Sequence, residues 1–274
     1  MYLISYFTTD AEALHLATSR DGEHFEPVRG GEPVLFGEVG TRTLRDPFVG
    51  VAPDGRYHLL ATDGWSSPHI VHATSADLRR WSPQRLLSPM AEVPGALNAW
   101  APEMFVDDGG VCHLIWSSVV DPRPDDERDW HHTAQEQRIW HARTEDFETF
   151  SEPALFFDPG HPVIDATVLR DDGRFVMAYK DERGDNDPAT PHKNILLTTF
   201  TEPGGRFTPP IGPVTPPLVE GPSLFRRGEE RVLIFDHYAE GGYGALATRD
   251  FVSWEPAAVS LPAGMRHASV VELP

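Results

Sequence analysis

The sequence predicts an all-β fold, a five-bladed β-propeller closed by its own two ends. Three observations carry this. The apolar runs are short, rich in Val, Leu, Phe and Tyr, and none sustains a helical period. The 26 prolines and 23 glycines are spread along the chain and punctuate those runs. The runs also recur as hairpins at intervals of roughly 40 to 50 residues, the repeat length of a propeller blade.

The hairpins follow one plan. Asp46-Pro47-Phe48-Val49-Gly50-Val51 meets the turn Pro53-Asp54-Gly55 and returns through Tyr57 to Ala61. Ala101 to Val106 returns through Val111 to Trp116, and Asp165 to Leu169 through Phe175 to Tyr179. Glu220 to Phe225 meets Arg226-Arg227-Gly228 and returns through Val232 to Phe235. Each turn carries a glycine, as a tight hairpin requires. A third strand follows each hairpin, then in most repeats a Ser/Thr-Asp pair and a Trp or Phe: Asp77 with Trp81, Asp146 with Phe150, Asp250 with Trp254. The repeat from Asp165 is looser, with Phe207 as its aromatic residue. The N-terminus supplies a partial fifth copy, Tyr2 to Phe7 followed by Leu14 to Thr18, Asp21 and Phe25. Its missing first strand is His267 to Leu273, at the far end. A repeat split this way implies a ring of five four-stranded blades. No composition break separates the repeats, so residues 1–274 are expected to form one propeller domain.

The formal charge of −19 argues against nucleic acid and anionic membrane as partners. It suits a protein acting on neutral ligands. No apolar run approaches the length of a membrane span, and the first residues, Met1 to Phe7, read as a strand rather than a leader. The expectation is a cytoplasmic protein. The single cysteine, Cys112, excludes a disulfide framework and reads as a buried thiol. The 13 histidines show no paired zinc pattern, and there is no phosphate loop or nucleophile elbow.

In a propeller the first strand of each blade lines the central channel, so the strand starts converge. Those starts are Asp46, the Ala101-Pro102-Glu103 corner, Asp165, Glu220 and His267. Counted from the turn glycines, Asp165 and Glu220 share one register and Asp46 lies one residue off it. A lone carboxylate there reads equally as a turn or cap residue. Three together, with a histidine, read as a site, because like charges in proximity lose stability unless protons or a cation intervene. Glycoside hydrolysis needs such a set: an acid for the leaving oxygen, a base for water, and in inverting enzymes a gap of about 6.5–9.5 Å between them. A third carboxylate would raise the pKa of the acid.

The motifs Arg45-Asp46-Pro47, Trp100-Ala101-Pro102-Glu103, Ile164-Asp165-Ala166, Glu220-Gly221-Pro222 and Arg266-His267-Ala268-Ser269 stand in order at blade spacing. With them the chain resembles glycoside hydrolase family 43, the five-bladed-propeller arabinofuranosidases and xylosidases. The resemblance implies an inverting glycosidase that removes terminal pentosyl groups from short oligosaccharides. It implies Asp46 as general base, Asp165 as pKa modulator and Glu220 as general acid. It further implies that His267 binds a channel-axis cation, calcium or another, or that cation's water, with no cofactor needed for chemistry. The chain departs from the family pattern in the half-blade before Asp46, in Ala166 for a commoner proline and in Ala268 for a commoner glycine.

The substrate contacts are expected from Arg45, Glu103 and the rim. Trp65, Trp100 and His237 occupy equivalent rim positions, the two tryptophans as an aromatic floor or as blade packing. Trp130 sits with His131 and His132 in a polar loop and reads as a sugar-stacking or lid residue. The acidic residues of that loop lack the EF-hand spacing and read as a solvated surface. Two other functions fit the same fold, since fold does not set function: a non-catalytic carbohydrate-binding or scaffold propeller, and another sugar enzyme such as a galactofuranosidase, a retaining fructosidase or a phosphorylase. For the last, Arg45 and Lys180 would hold phosphate.

Overall fold

A computed structural model describes residues 1–273 except 122, 125–126, 128–135 and 188. Its strands form five separate antiparallel sheets. Blade 1 joins β19 (Met265–Glu272), β1 (Tyr2–Thr8), β2 (His15–Ser19) and β3 (Glu26–Pro27), in that order from the axis. Blade 2 is β4 (Arg45–Val51), β5 (Tyr57–Thr62), β6 (Ile70–Ser75) and β7 (Arg85–Leu87). Blade 3 is β8 (Trp100–Val106), β9 (Cys112–Ser118), β10 (Arg138–Thr144) and β11 (Ala154–Phe157). Blade 4 has β12 (Val163–Asp171), β13 (Arg174–Asp181) and β14 (Ile195–Phe200). Blade 5 is β15 (Glu220–Arg227), β16 (Glu230–Asp236), β17 (Tyr243–Thr248) and β18 (Glu255–Pro256). The inner strands neighbour one another in the ring β19, β4, β8, β12, β15. The fold is therefore a five-bladed β-propeller.

Four blades have the four strands expected. Blade 4 has three, and its outer edge is a single bridge, Leu197 to Ile211. Prolines at 209, 210 and 213 around that bridge remove the amide donors a fourth ladder would need. Closure is as the split repeat implied: Tyr2 pairs with Glu272 and Ser5 with Ser269.

Each inter-blade seam holds its own apolar core. Phe48, Leu60, Leu114 and Trp116 join blades 2 and 3, and Phe105, Ile115, Phe175 and Tyr179 join blades 3 and 4. Val176, Ile195, Leu224 and Leu233 join blades 4 and 5, Ile4, Phe225, Ile234 and Val270 join 5 and 1, and Leu3, Leu16, Val49 and Leu59 join 1 and 2. Five seams for five blades means the ring is shut, with no sheet face left over. Cys112 is buried in one of these seams, and burial pushes its thiol up to about 11. Among the described residues no helix is long and apolar enough to cross a membrane.

The Ser/Thr-Asp pairs are a repeated turn between the third and fourth strands of four blades. In each, the Asp Oδ1 accepts two backbone amides: Glu23 and His24, Arg79 and Arg80, Glu148 and Thr149, Val252 and Ser253. The Ser or Thr hydroxyl accepts a third, from Gly22, Leu78, Phe147 or Phe251. Those four residues have positive φ, from 58° to 74°. The amide bonds hold Asp21, Asp77, Asp146 and Asp250 below the usual carboxylate range.

Deleting residues 265–274 removes the inner strand of blade 1 and leaves the β1 edge bare. The truncated chain should lose the cooperative urea transition of the full one. A sharp transition at an unchanged midpoint would contradict ring closure as a source of stability.

Candidate active site

The site grows out of one local distortion repeated five times. Near the start of every inner strand the pairing register slips: between Arg45 and Phe48, Trp100 and Glu103, Ile164 and Thr167, Glu220 and Ser223, and between Phe7 and Ser5 opposite β19. Within each slip one residue takes positive φ: Asp46 (47°), Ala101 (46°), Asp165 (56°), Gly221 (53°) and His267 (34°). A β-bulge re-aims its side chain out of the ladder. Here it turns Asp46, Asp165 and His267 toward the mouth of the channel. Blade 5 has glycine at that place for a steric reason, since a Cβ on Gly221 would lie 3.1 Å from His267 Cα.

This corrects the register read from the sequence. Glu220 is not the counterpart of Asp46 and Asp165 but stands one residue earlier, level with Arg45, Trp100, Ile164 and Arg266. Counting back from the turn glycines misled because the glycine sits at different places in turns of equal length. Asp171 pairs with Arg174 and Arg227 with Glu230, each across two residues, but Gly173 is the second of its two and Gly228 the first.

The bulges are braced from the preceding blade. On each second strand the residue opposite the one before the bulge is Phe7, Thr62, Ser117, Lys180 or Asp236. Thr62 Oγ1 donates to Asp46 Oδ2 (2.7 Å) and accepts from Ala101 N (2.8 Å). Ser117 Oγ accepts from Asp165 N (3.1 Å). Asp236 Oδ2 accepts from His267 N (3.2 Å) and Arg266 Nε (2.6 Å). Lys180 Nζ donates to Glu220 Oε2 (3.1 Å), and the Arg45 guanidinium lies over the Phe7 ring.

Asp46, Asp165, Glu220 and His267 line one pocket on the axis, with Arg45, Thr62, Gly64, Trp65, Trp100 and Ile164. His267 Nδ1 is 3.4 Å from Asp46 Oδ1 and 3.8 Å from Asp165 Oδ2. Burial works against a charged imidazole, but Asp46, Asp165, Glu220 and Glu103 outweigh it and raise His267 above its ordinary value. Burial pushes Asp165 up to about 6, with His267 opposing and Glu220 adding to the rise. Burial also acts upward on Glu220, but Lys180, His267 and Arg266 outweigh it and hold it below its ordinary value. Arg266 Nη2 donates to its other oxygen, Oε1 (3.2 Å). A resting Glu220 kept protonated by Asp165, as the sequence suggested, is not what these contacts give. Two cations hold Glu220 ionised, and the raised carboxyl is Asp165.

Among the described residues, three ligating side chains converge within 4.8 Å of one another only at Asp21, Glu23 and His24, on an exposed turn. At the axis a raised imidazole stands between the carboxylates instead.

Trp65 is 60% exposed and meets Trp100 edge-on at 5.4 Å, and the Arg45 guanidinium lies 4.8 Å from the Trp65 ring centre. Trp100 Nε1 donates to Trp65 O. The two rings thus form one wall of the pocket. Two expected contacts do not line it. Glu103 lies two residues past its bulge and points into the channel below, where Ser269 Oγ donates to its Oε1 (2.7 Å). His237 packs its ring against Phe235 of its own blade. Trp130, with its neighbours His131 and His132, falls outside the described residues. Arg45 is paired with Glu12 and Lys180 with Glu182 and Glu220, so the cations that a phosphate would need are already engaged.

Thr62, Asp236 and Arg266 were not read as site residues, although Arg266 stood within a quoted motif, and Lys180 was read only as a phosphate contact. Their signal was present: a polar or charged residue ends each apolar second strand, as in Leu60-Ala61-Thr62 and Ala178-Tyr179-Lys180. Such a residue reads equally as a strand cap until the next blade is placed beside it.

Burial pushes Glu103 up to about 7 although Ser269 and Thr167 hydrogen bonds oppose the rise. A carboxyl with a raised folded-state pKa stabilises the fold at low pH and loses that contribution as pH climbs through the folded value. Glu103→Gln should therefore gain stability relative to the parent between pH 5 and pH 8, by roughly 3 kcal/mol. Urea denaturation at the two pH values measures it; an equal difference at both would show that Glu103 does not titrate in this window.

Comparison with known proteins agrees with the fold and motifs. A family model described as "Probable glycosyl hydrolase domain", of the family-43-related group, matches residues 1–274. An α-L-arabinofuranosidase of Bifidobacterium longum subsp. longum is 29% identical over an alignment of 196 positions that covers 63% of this chain and 18% of that protein. The chain thus spans under a fifth of the length of that relative. A crystal structure of an α-L-arabinofuranosidase from Lactobacillus brevis superposes with TM-score 0.60 at 18% identity, covering 79% of this chain and 73% of that one. An endo-1,4-β-xylanase structure from Bacteroides thetaiotaomicron gives TM-score 0.60 at 15% identity over 93% of this chain and 89% of that one. The chain belongs to the glycosyl hydrolases of the family 43 group.

Proposed function

We propose that this propeller is an inverting glycosidase that removes a terminal pentosyl group, of α-L-arabinofuranoside or β-xyloside type, from short oligosaccharides. The observation that carries this is the axial pocket that gathers Asp46, Asp165, Glu220 and His267 beside an aromatic wall. It draws residues from all five blades, so the catalytic unit is taken as the whole of residues 1–274. The pocket is small, about 80 Å³. That is below the usual range for larger ligands and favours one terminal ring with the rest of the substrate outside. The arabinofuranosidase relative supports the pentosyl class. With one buried thiol and no disulfide, the chain has no need of an oxidising compartment, which fits a cytoplasmic setting.

Asp46 is assigned as the base. Its Oδ2 is fixed by the Thr62 hydroxyl, which leaves Oδ1 to take a proton from water. Glu220 is assigned as the acid, at the end of a strand and between two cations. Asp165 is its partner: Gly221 N donates to Asp165 Oδ2 (3.1 Å), which ties the Asp165 carboxyl to the backbone beside Glu220. The two titrate together, so the proton that reaches the leaving oxygen belongs to the pair rather than to either residue. No cofactor takes part in these steps.

Asp46→Ala should lose about 10²–10⁴-fold in rate on every substrate, because nothing then activates water. Glu220→Ala should lose as much on a poor leaving group but recover on an aryl glycoside that departs without a proton. NMR of the first-formed sugar should show inverted anomeric configuration. Retention, or equal rescue of both variants, would overturn these assignments.

The pH dependence follows from the same pair. Asp165 is raised to about 6 and Glu220 is lowered, so above about pH 6 the pair holds no proton. The kcat/KM profile on a poor leaving group should fall on the alkaline side from about pH 6. A flat profile to pH 8 would place the donated proton elsewhere.

A further inference from the structure

Lys180 is buried, with its side chain only 3% exposed, and does not line the pocket. Its ammonium makes three contacts: Glu220 Oε2 at 3.1 Å, Glu182 Oε2 at 2.8 Å, and the face of Tyr238 at 4.5 Å. Of the three, the contact to Glu220 is a hydrogen bond and that to Glu182 an ion pair. It holds the brace position that Thr62, Ser117 and Asp236 hold in other blades. Of those four braces Lys180 alone is cationic; Thr62 meets the proposed base, Asp46, and Lys180 meets the proposed acid, Glu220. The far oxygen of Glu182 is held by Lys193 at 2.7 Å.

We propose that Lys180 is a positioning residue for Glu220: it fixes the Glu220 carboxyl toward the pocket and acts on the reaction only through it. This rests on the reading of Glu220 as the acid. Arg266, on the other side, donates to Oε1, so the two cations pin the carboxyl plane. The remaining groups that face Glu220 are Asp165 from β12, Asp236 from β16, Tyr238 and Tyr243 beyond it, and His267 from β19. None of these is a second free ammonium that could replace Lys180.

Lys180→Met keeps much of the stem and removes the charge. Lys193 still holds Glu182 Oε1, while Oε2 loses its ion pair. A lost cation at this distance raises a carboxyl by about one pH unit or more. On a poor leaving group, kcat should fall about 10–100-fold with KM nearly unchanged, and the alkaline limb should move to higher pH. Glu182→Gln removes the competitor for the ammonium, so Lys180 acts more fully on Glu220 and the limb should move to lower pH. The opposite shifts are what a merely structural lysine would not produce, and the second variant serves if the first fails to fold.

The controls separate the two levels. If Glu220→Gln loses rate on the poor leaving group while Lys180→Met and Glu182→Gln keep the parent profile, the positioning role is wrong and the acid assignment stands. If Glu220→Gln keeps the parent rate, the acid assignment itself fails and this inference falls with it. A drop in affinity with kcat intact in Lys180→Met would make the lysine a substrate contact and overturn the proposal.

Discussion

The structure depends on a left-handed residue placed near the start of each inner strand. An L-residue in that region is strained by about 1–3 kcal/mol when the site is not glycine. Four of the five here are not glycine: Asp46, Ala101, Asp165 and His267. The strain persists because each bulge is held by neighbours that cannot move independently. Ser117 takes the Asp165 amide, Asp236 the His267 amide, and Thr62 both the Ala101 amide and the Asp46 carboxylate. A blade therefore sets the geometry of the next one. The ring must be closed for the last blade to set the first, which is why β19 and β1 come from opposite ends of the chain.

The second constraint is charge. Four buried or half-buried carboxyls, Asp46, Glu103, Asp165 and Glu220, surround one axis in a chain of net charge −19. Ionising all of them without partners would be prohibitive, since each buried ion loses several kcal/mol of hydration. An opposite charge at about 4 Å returns roughly 4 kcal/mol at an effective dielectric constant of 20. The molecule divides the problem. Glu220 has two cations and stays ionised. His267 lies between Asp46 and Asp165 and is raised by both. Glu103 has hydroxyl partners only and is raised by burial. The result is a set of carboxyls around one axis whose surroundings push their protonation in different directions.

Much of this was legible in the sequence. The hairpin plan, the Asp turns and the split fifth repeat fix blade number and closure, because glycine-bearing turns and alternating apolar runs are local signals. Asp46, Asp165, Glu220 and His267 could be singled out because they stand at strand starts, and they do line one pocket. The register of Glu220 was not legible, since it depends on where the glycine sits in its turn and where the bulge falls, and neither is written in a count of residues. The brace residues were missed because Thr62, Ser117, Lys180 and Asp236 act on the next blade, across a seam the linear sequence does not show. Glu103 was misread for a related reason. Two residues past a bulge, the side chain faces down the channel rather than into its mouth.

The most direct test is a crystal structure of the Glu220→Gln variant soaked with an intact arabinofuranosyl or xylosyl disaccharide. The account predicts a terminal pentose ring in the axial pocket, its glycosidic oxygen toward residue 220. A water should lie between Asp46 Oδ1 and the opposite face of the anomeric carbon. A ring bound away from the axis, or Asp46 in contact with the anomeric carbon with no room for water, would contradict it.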